Sequence, residues 1–185
     1  MKTKLAFSTL ALLLGVGLVF FLLPSCDKVQ DVTKIKVKYE LPDRTFTIDS
    51  ISHLKTEQNL FSETFTANID SIIGANEGLL GNVSFYQLQL TVVSPAWVTL
   101  DWINSARATI TPAGGSPIEV ATTGTIDPLA RTVNFEVKNL DIAANVTGPF
   151  VLDVYGDLSG PIPTGSVQML LESGIEVTVN PLGGK

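Results

Sequence analysis

The chain has few of the side chains on which enzymes depend for nucleophilic or metal chemistry. Its 185 residues include one cysteine, Cys26, and one histidine, His53. A serine or cysteine nucleophile needs a base beside it, and a zinc site needs several thiolates or imidazoles. A single copy of each side chain favours neither kind of site. We interpret His53, which follows a predicted strand, as a solvated loop residue.

Carboxylates are more numerous, and they could hold calcium or act as the acid pair of a glycosidase. Asp141, Asp153 and Asp157 are the candidates, because they could converge at one end of a β-sandwich. The stretch "DVYGDLSG" at 153–160 nevertheless lacks the alternating oxygen donors of a calcium loop. We therefore interpret these acids as solvated strand ends, and we expect no metal and no cofactor.

The aromatic pair in "SPAWVTLDWI", residues 94–103, is a candidate for binding. If residues 97–103 form a strand, Trp102 falls on the core face and Trp97 on the exposed face. An exposed tryptophan beside a turn can anchor a protein partner or stack on a sugar ring. The alternative is a ring that lies on a neighbouring strand or under the N-terminal segment.

The segment before Cys26 has the composition of an export signal. Two lysines in the first four residues precede an apolar run from Leu5 to Leu23. The sequence Leu23-Pro24-Ser25-Cys26 then resembles the lipobox of bacterial lipoprotein signal peptides. The resemblance implies a signal peptide at 1–25, cleavage before Cys26, and acyl chains such as palmitate on the Cys26 thiol.

Two other interpretations of this segment remain open: an uncleaved membrane anchor and an incidental cysteine. A lone thiol in an oxidising compartment lacks a disulfide partner, which favours lipidation. Residues 26–33 then form a lipidated tether on the membrane of the cell envelope. Asp27 would favour the inner membrane under one sorting rule, but that rule is not general, and we expect the outer membrane.

The charge of the mature chain argues against nucleic acid as a partner. Without residues 1–25 the chain keeps ten of its 12 lysines and arginines and all 18 of its acids, so its net charge is −8. Nucleic-acid-binding domains carry a basic patch, and anionic lipid headgroups attract basic segments. Contact with the membrane is therefore expected through the lipid on Cys26.

Alternating apolar and polar residues predict a domain built of strands over 34–182. The pattern is clear in "KIKVKYE" at 34–40 and "RTVNFEVKNL" at 131–140, and Gly, Pro, Asn and Asp separate similar stretches. Residues 70–81 predict a short helix. We expect a single antiparallel β-sandwich, Ig-like or jelly-roll-like, with at most one short helix. In layout it looks like small uncharacterised β-sandwich lipoproteins of Gram-negative bacteria.

The sequence favours a non-enzymatic binding or assembly module at the cell envelope. The tether of about seven residues reaches only about 15 Å, so we expect the domain to dock onto a membrane protein partner. Two alternatives remain: a glycan-binding adhesin that uses Trp97, and a carboxylate-based glycosidase.

Overall fold

The computed structural model describes residues 34–49, 57–67, 69, 80–162 and 165–180. Cys26, His53 and nearly all of the predicted helix at 70–81 lie outside these residues. The chain divides into two compact units, and the larger is Lys36–Val179. Of the other unit, only residues 34, 35 and 180 are described. Within the described ranges, no helix has the length and apolar character needed to cross a membrane.

Strands dominate the described residues, with a one-turn helix, α1, between two of them. In chain order they are β1 (Ile35–Glu40), β2 (Arg44–Asp49), β3 (Gln58–Phe65), β4 (Leu80–Ser94), β5 (Ile103–Pro112), β6 (Ile118–Thr122), β7 (Thr132–Asn134), β8 (Glu136–Val137), α1 (Ala143–Val146), β9 (Phe150–Leu158) and β10 (Ser166–Val179).

The strands form two antiparallel sheets that pack as a sandwich. In the first sheet β10 lies beside β4, β4 lies beside β7, and β1 and β2 both pair with β10. The second sheet has the order β3-β9-β5-β6-β8. If β1 and β8 are set aside, the remaining strands have the connectivity of a jelly roll, in which the chain crosses repeatedly between two four-stranded sheets and only β5 and β6 are consecutive within one sheet. The predicted all-β sandwich is confirmed.

The core lies between the inward faces of the sheets and follows the period-two alternation of the strands. On β10, alternate residues from Val167 to Val177 are buried. On β4 the buried positions change phase, because Phe85 and Leu88 are both buried. A register shift opposite Gly174 and Ile175 accounts for the change, since a bulge adds one residue to one strand.

Most predicted strands are present, but two stretches differ from the prediction. Residues 97–103 form turns that lead into β5, so the strand predicted there is wrong. The predicted strand at 131–140 is two short strands, because β7 pairs with β4 in the first sheet and β8 pairs with β6 in the second. Phe135 stands between them and is buried.

Candidate functional site

The two ends of the sandwich are identified by Lys36 and Trp97. The polypeptide enters the Lys36–Val179 unit at Lys36, whose ammonium group pairs with Glu176 on β10 at 2.6 Å. The other end of β10 pairs with the last residue of β4, since Gln168 lies opposite Ser94. Trp97 follows three residues later. Lys36 and Trp97 therefore mark opposite ends, here called the Lys36 end and the Trp97 end.

A tight turn projects Trp97 from the Trp97 end. The amide of Val98 donates to the carbonyl oxygen of Pro95 over 3.1 Å, which closes a four-residue turn with Trp97 at its third position. The indole of Trp97 is 68% exposed. Its predicted exposure is therefore confirmed, although it stands on a turn and not on the outer face of a strand.

A second tight turn projects Leu129 in the same way. The amide of Ala130 donates to the carbonyl oxygen of Asp127 over 3.0 Å, and the amide of Leu129 donates to the Asp127 carboxylate over 2.9 Å. Asp at the first position and Pro at the second are the residues that such a turn favours. Leu129 occupies the third position and is 82% exposed.

Backbone hydrogen bonds join the loops that carry the two turns. The amide of Leu100 donates to the carbonyl oxygen of Ala130 over 2.8 Å, and the amide of Val92 donates to the carbonyl oxygen of Arg131 over 2.8 Å. The Arg131 guanidinium donates in return to the carbonyl oxygens of Val92 and Val93. The two turns are thus held to each other by the backbone.

Buried side chains fix the Trp97 turn to the core. Val98 and Leu100 are buried directly after Trp97, and Trp102 is 2% exposed. The indole nitrogen of Trp102 donates to the carbonyl oxygen of Thr99 over 3.0 Å. The predicted core position of Trp102 is confirmed, and its indole also braces the loop from below.

Large apolar side chains are concentrated at the Trp97 end. Five of them are exposed among the described residues. Trp97 and Leu129 belong to these two adjoining loops, and Val93 stands at the end of β4, where the first loop begins. We call these three residues the Trp97 surface. Sequence reasoning missed Leu129, although the Asp-Pro pair before it is a turn signal that would have placed it at a loop tip.

The Trp97 end also carries acidic side chains. Four carboxylates stand at strand ends or in loops there and have no basic partner among the described residues: Asp49, Asp101, Asp127 and Asp157. Arg131, held by backbone carbonyls, is the cation nearest the two turns. Glu57 is neutralised by a two-pronged hydrogen bond from Arg107, which lowers the pKa of the Glu57 carboxyl.

Comparisons with known proteins give this chain no family. No protein-family model matches it, and no curated protein matches it. Among solved structures, the VP2 subviral particle of infectious bursal disease virus is 14% identical with a TM-score of 0.38, covering 80% of this chain and 33% of that one. The chain thus spans about a third of the VP2 chain.

Two plant virus structures are also similar to this chain. Desmodium yellow mottle tymovirus is 13% identical with a TM-score of 0.28, over 78% of this chain and 87% of that one. Turnip yellow mosaic virus is 16% identical with a TM-score of 0.23, over 82% and 97%. Function has to follow from the side chains of this protein itself.

The three acids do not converge at one end, and their interpretation as solvated strand ends is wrong for Asp153, which is buried. Asp153 lies in the middle of β9, where the Asn59 amide donates to it over 3.1 Å. Asp157 lies four residues further along the strand, about 13 Å away, and accepts from Asn104. Asp141 accepts from the amides of Val83 and Ala143. Each carboxylate serves a separate structural hydrogen bond.

A small polar cavity of about 80 Å³ lies elsewhere, where β1 turns into β2. Its lining includes three carboxylates, those of Glu40, Asp43 and Glu172. No three His, Cys, Asp or Glu side chains within the described ranges are close enough together to hold a metal ion. The cavity is therefore a small depression in an acidic part of the surface.

The geometry of the Trp97 surface suits binding. Trp97 and Leu129 project from turns whose backbone is already fixed, so no backbone ordering is needed when a partner covers them. Exposed tryptophan is also the side chain most enriched among residues that dominate binding energy.

Proposed function

We propose that this protein is a lipid-anchored, non-enzymatic binding or assembly module of the cell envelope, and that it docks onto an envelope protein through the Trp97 surface. The observation that carries the proposal is the projection of Trp97 and Leu129 from two hydrogen-bonded turns at the end opposite Lys36. Exposed apolar side chains such as Trp97 and Leu129 lower the solubility of a protein, and a partner that covers them removes this disadvantage.

The anchor in this proposal is Cys26, supported by the resemblance of the preceding segment to lipoprotein signals. Two or three acyl chains hold a protein on a membrane stably, whereas one holds it only marginally. We propose the outer membrane as the site of anchoring. Because the tether reaches only about 15 Å, the domain stays close to the membrane that holds the lipid.

Within the Lys36–Val179 unit, the contact surface lies at the end away from Lys36. Gln168 and Glu176 lie eight residues apart on β10, which corresponds to about 26 Å of extended strand. Lys36 pairs with Glu176, and the Trp97 surface lies beyond Gln168. The proposed contact surface is therefore distant from the residue at which the polypeptide enters this unit.

Two features support the non-enzymatic part of the proposal. The acids that a glycosidase would need, Asp141, Asp153 and Asp157, are spread over the sandwich and serve structural hydrogen bonds. The most exposed groups of the Trp97 end, Trp97 and Leu129, are apolar and carry no acid or base.

Photo-crosslinking in the native cell tests the proposal. A photoreactive amino acid at Leu129 should give one discrete crosslinked product in the membrane fraction, and the same group at Ala113 should give none. Ala113 is exposed in the turn between β5 and β6, at the Lys36 end, and is a matched control. Identical products at both positions, or none at either, would contradict docking through the Trp97 surface.

The anchor and the glycan alternative need separate measurements. Cys26→Ala should abolish incorporation of a fatty-acid analogue and release the protein from the membrane fraction; undiminished label would exclude lipidation at Cys26. A glycan array with the wild type and Trp97→Ala should show no sugar bound. A sugar whose binding is lost in Trp97→Ala would replace protein docking by glycan adhesion.

A further inference from the structure

The described lysines of the domain are confined to one half of it. The lysines that the structure describes in the Lys36–Val179 unit are Lys36, Lys38 and Lys138, and all lie in the half towards Lys36. Two of them already pair with acids, Lys36 with Glu176 and Lys138 with Glu119.

The Trp97 end carries acids and no described lysine. Asp101 and Asp127 belong to the loops of Trp97 and Leu129, and Asp49 and Asp157 stand at strand ends on the same end of the sandwich. Arg131 is half-buried there, and its Nη2 donates to two backbone carbonyl oxygens. Of these acids, Asp127 and Asp157 are engaged in hydrogen bonds within the domain. Asp49 and Asp101 are exposed and have no side-chain hydrogen bond among the described residues. These four acids lie at the same end as the apolar centre and are here called its acidic rim.

Building on the docking role proposed above, we infer that the Trp97 surface binds a protein segment with apolar side chains at its centre and lysine or arginine around them. Charge complementarity selects this occupant. Opposite potentials across an interface steer association and suppress wrong partners, while like charges repel. The apolar centre supplies affinity, and the acidic rim supplies the choice of partner.

The same charges disfavour two other occupants. A second copy docked through the same surface would bring the two acidic rims together. An anionic lipid surface would repel this end, since it attracts basic segments. A sugar is tested separately by the glycan array with Trp97→Ala.

A selection from random peptides displayed on phage tests the inference, with the full-length protein held in detergent as the target. Peptides retained by the wild type and lost with Trp97→Ala or Leu129→Ser should combine apolar residues with an excess of Lys and Arg over Asp and Glu. Leu140→Ser is the matched control, because Leu140 is also exposed but belongs to the segment after β8, away from the Trp97 end. It should bind these peptides as the wild type does.

The double variant Asp49→Asn with Asp101→Asn isolates the charge term. It removes two rim charges without removing an apolar contact, so it should weaken the selected peptides by about threefold to tenfold, as two exposed charge pairs would. Wild-type affinity should also fall as salt rises, and the double variant should respond less.

The outcomes separate the inference from the docking role. Peptides that depend on Trp97 but are neutral or acidic would overturn the charge preference and leave docking through Trp97 intact. A selection that yields no peptide dependent on Trp97 and Leu129 would overturn the inference. The crosslinks at Leu129 and Ala113 then decide whether the protein docks through the Trp97 surface.

Discussion

The backbone amide of Leu100 and the carbonyl oxygen of Ala130 are 2.8 Å apart and join the two loops that carry Trp97 and Leu129. This hydrogen bond links the segment between β4 and β5 to the segment between β6 and β7. Each loop also closes its own turn, so neither exposed side chain depends on a partner for its position. The apolar surface is built before binding.

Asp127 is predicted to hold the Leu129 turn through its carboxylate. Asp127→Ala removes the acceptor of the Leu129 amide and should lower the free energy of unfolding by about 0.5 to 1.5 kcal/mol. Asp127→Asn keeps an acceptor and should retain most of the stability. Urea denaturation of the two variants measures the difference. Equal losses in both would show that the carboxylate charge, and not the hydrogen bond, stabilises the turn.

The two tryptophans are predicted to differ in what they contribute to stability. Trp102→Phe leaves a gap in the core and removes the donor to Thr99, so it should cost about 1 to 3 kcal/mol of unfolding free energy. Trp97→Phe changes an exposed ring and should stay within about 0.5 kcal/mol of the wild type. Chemical denaturation provides the comparison.

Fluorescence distinguishes the two rings directly. In Trp102→Phe the remaining indole is exposed, so acrylamide should quench it efficiently; in Trp97→Phe the remaining indole is buried and should be protected. Similar quenching in the two folded variants would contradict the assigned environments. A ligand of the Trp97 surface should reduce quenching in the first variant only.

The sequence predicts the sandwich because apolar and polar residues alternate along each strand. This alternation can be read locally, and it also decides which side chains are buried between the sheets. The prediction fails at residues 97–103. Val98, Leu100 and Trp102 alternate there as they would in a strand and are buried, but the backbone that carries them forms turns. Alternation shows which side chains face the core, not whether the backbone is paired. Leu129 was missed because its significance depends on the loop of Trp97, which is distant in sequence and adjacent in the fold.

Phe135 shows the same limit and provides a prediction. Its alternation with Val133 predicts one strand, yet the chain changes sheets at Phe135, whose amide donates to the carbonyl oxygen of Leu88 over 2.9 Å. Phe135→Ala should cost about 3 to 5 kcal/mol, and Val133→Ala, at a half-buried site, clearly less. Denaturant titration measures both. A loss below about 1 kcal/mol for Phe135→Ala would contradict its place in the core.

Tyr86 and Gly174 are predicted to be energetically coupled. A β-carbon on Gly174 would lie 2.5 Å from a ring carbon of Tyr86, so the ring occupies the place of the missing side chain. Alanine usually stabilises a strand by about 0.5 to 1 kcal/mol over glycine. Gly174→Ala should show this gain in a Tyr86→Ala background and not in the wild type, where the ring is displaced.

A double-mutant cycle measures that coupling, which should be about 1 to 2 kcal/mol for residues in such close contact. Gly160→Ala is the control, because a β-carbon there meets nothing within 4 Å. Its effect should be the same with and without Tyr86. Additive effects at Gly174 would contradict the packing of the ring against the glycine.

Tyr86 should also make stability depend on pH in alkaline solution. Burial raises the pKa of the Tyr86 phenol, and the neighbouring Glu40 carboxylate, 3.4 Å from the hydroxyl, raises it further. The folded protein therefore holds the phenolic proton more tightly than the unfolded chain does. The contribution is complete below the ordinary tyrosine pKa and is lost as the pH rises through the higher folded value. Glu40→Gln should bring the folded pKa closer to the ordinary value and reduce the alkaline loss of stability. Ultraviolet titration of the tyrosinate, with Tyr86→Phe subtracted, measures the pKa; an unchanged value in Glu40→Gln would exclude the influence of that carboxylate.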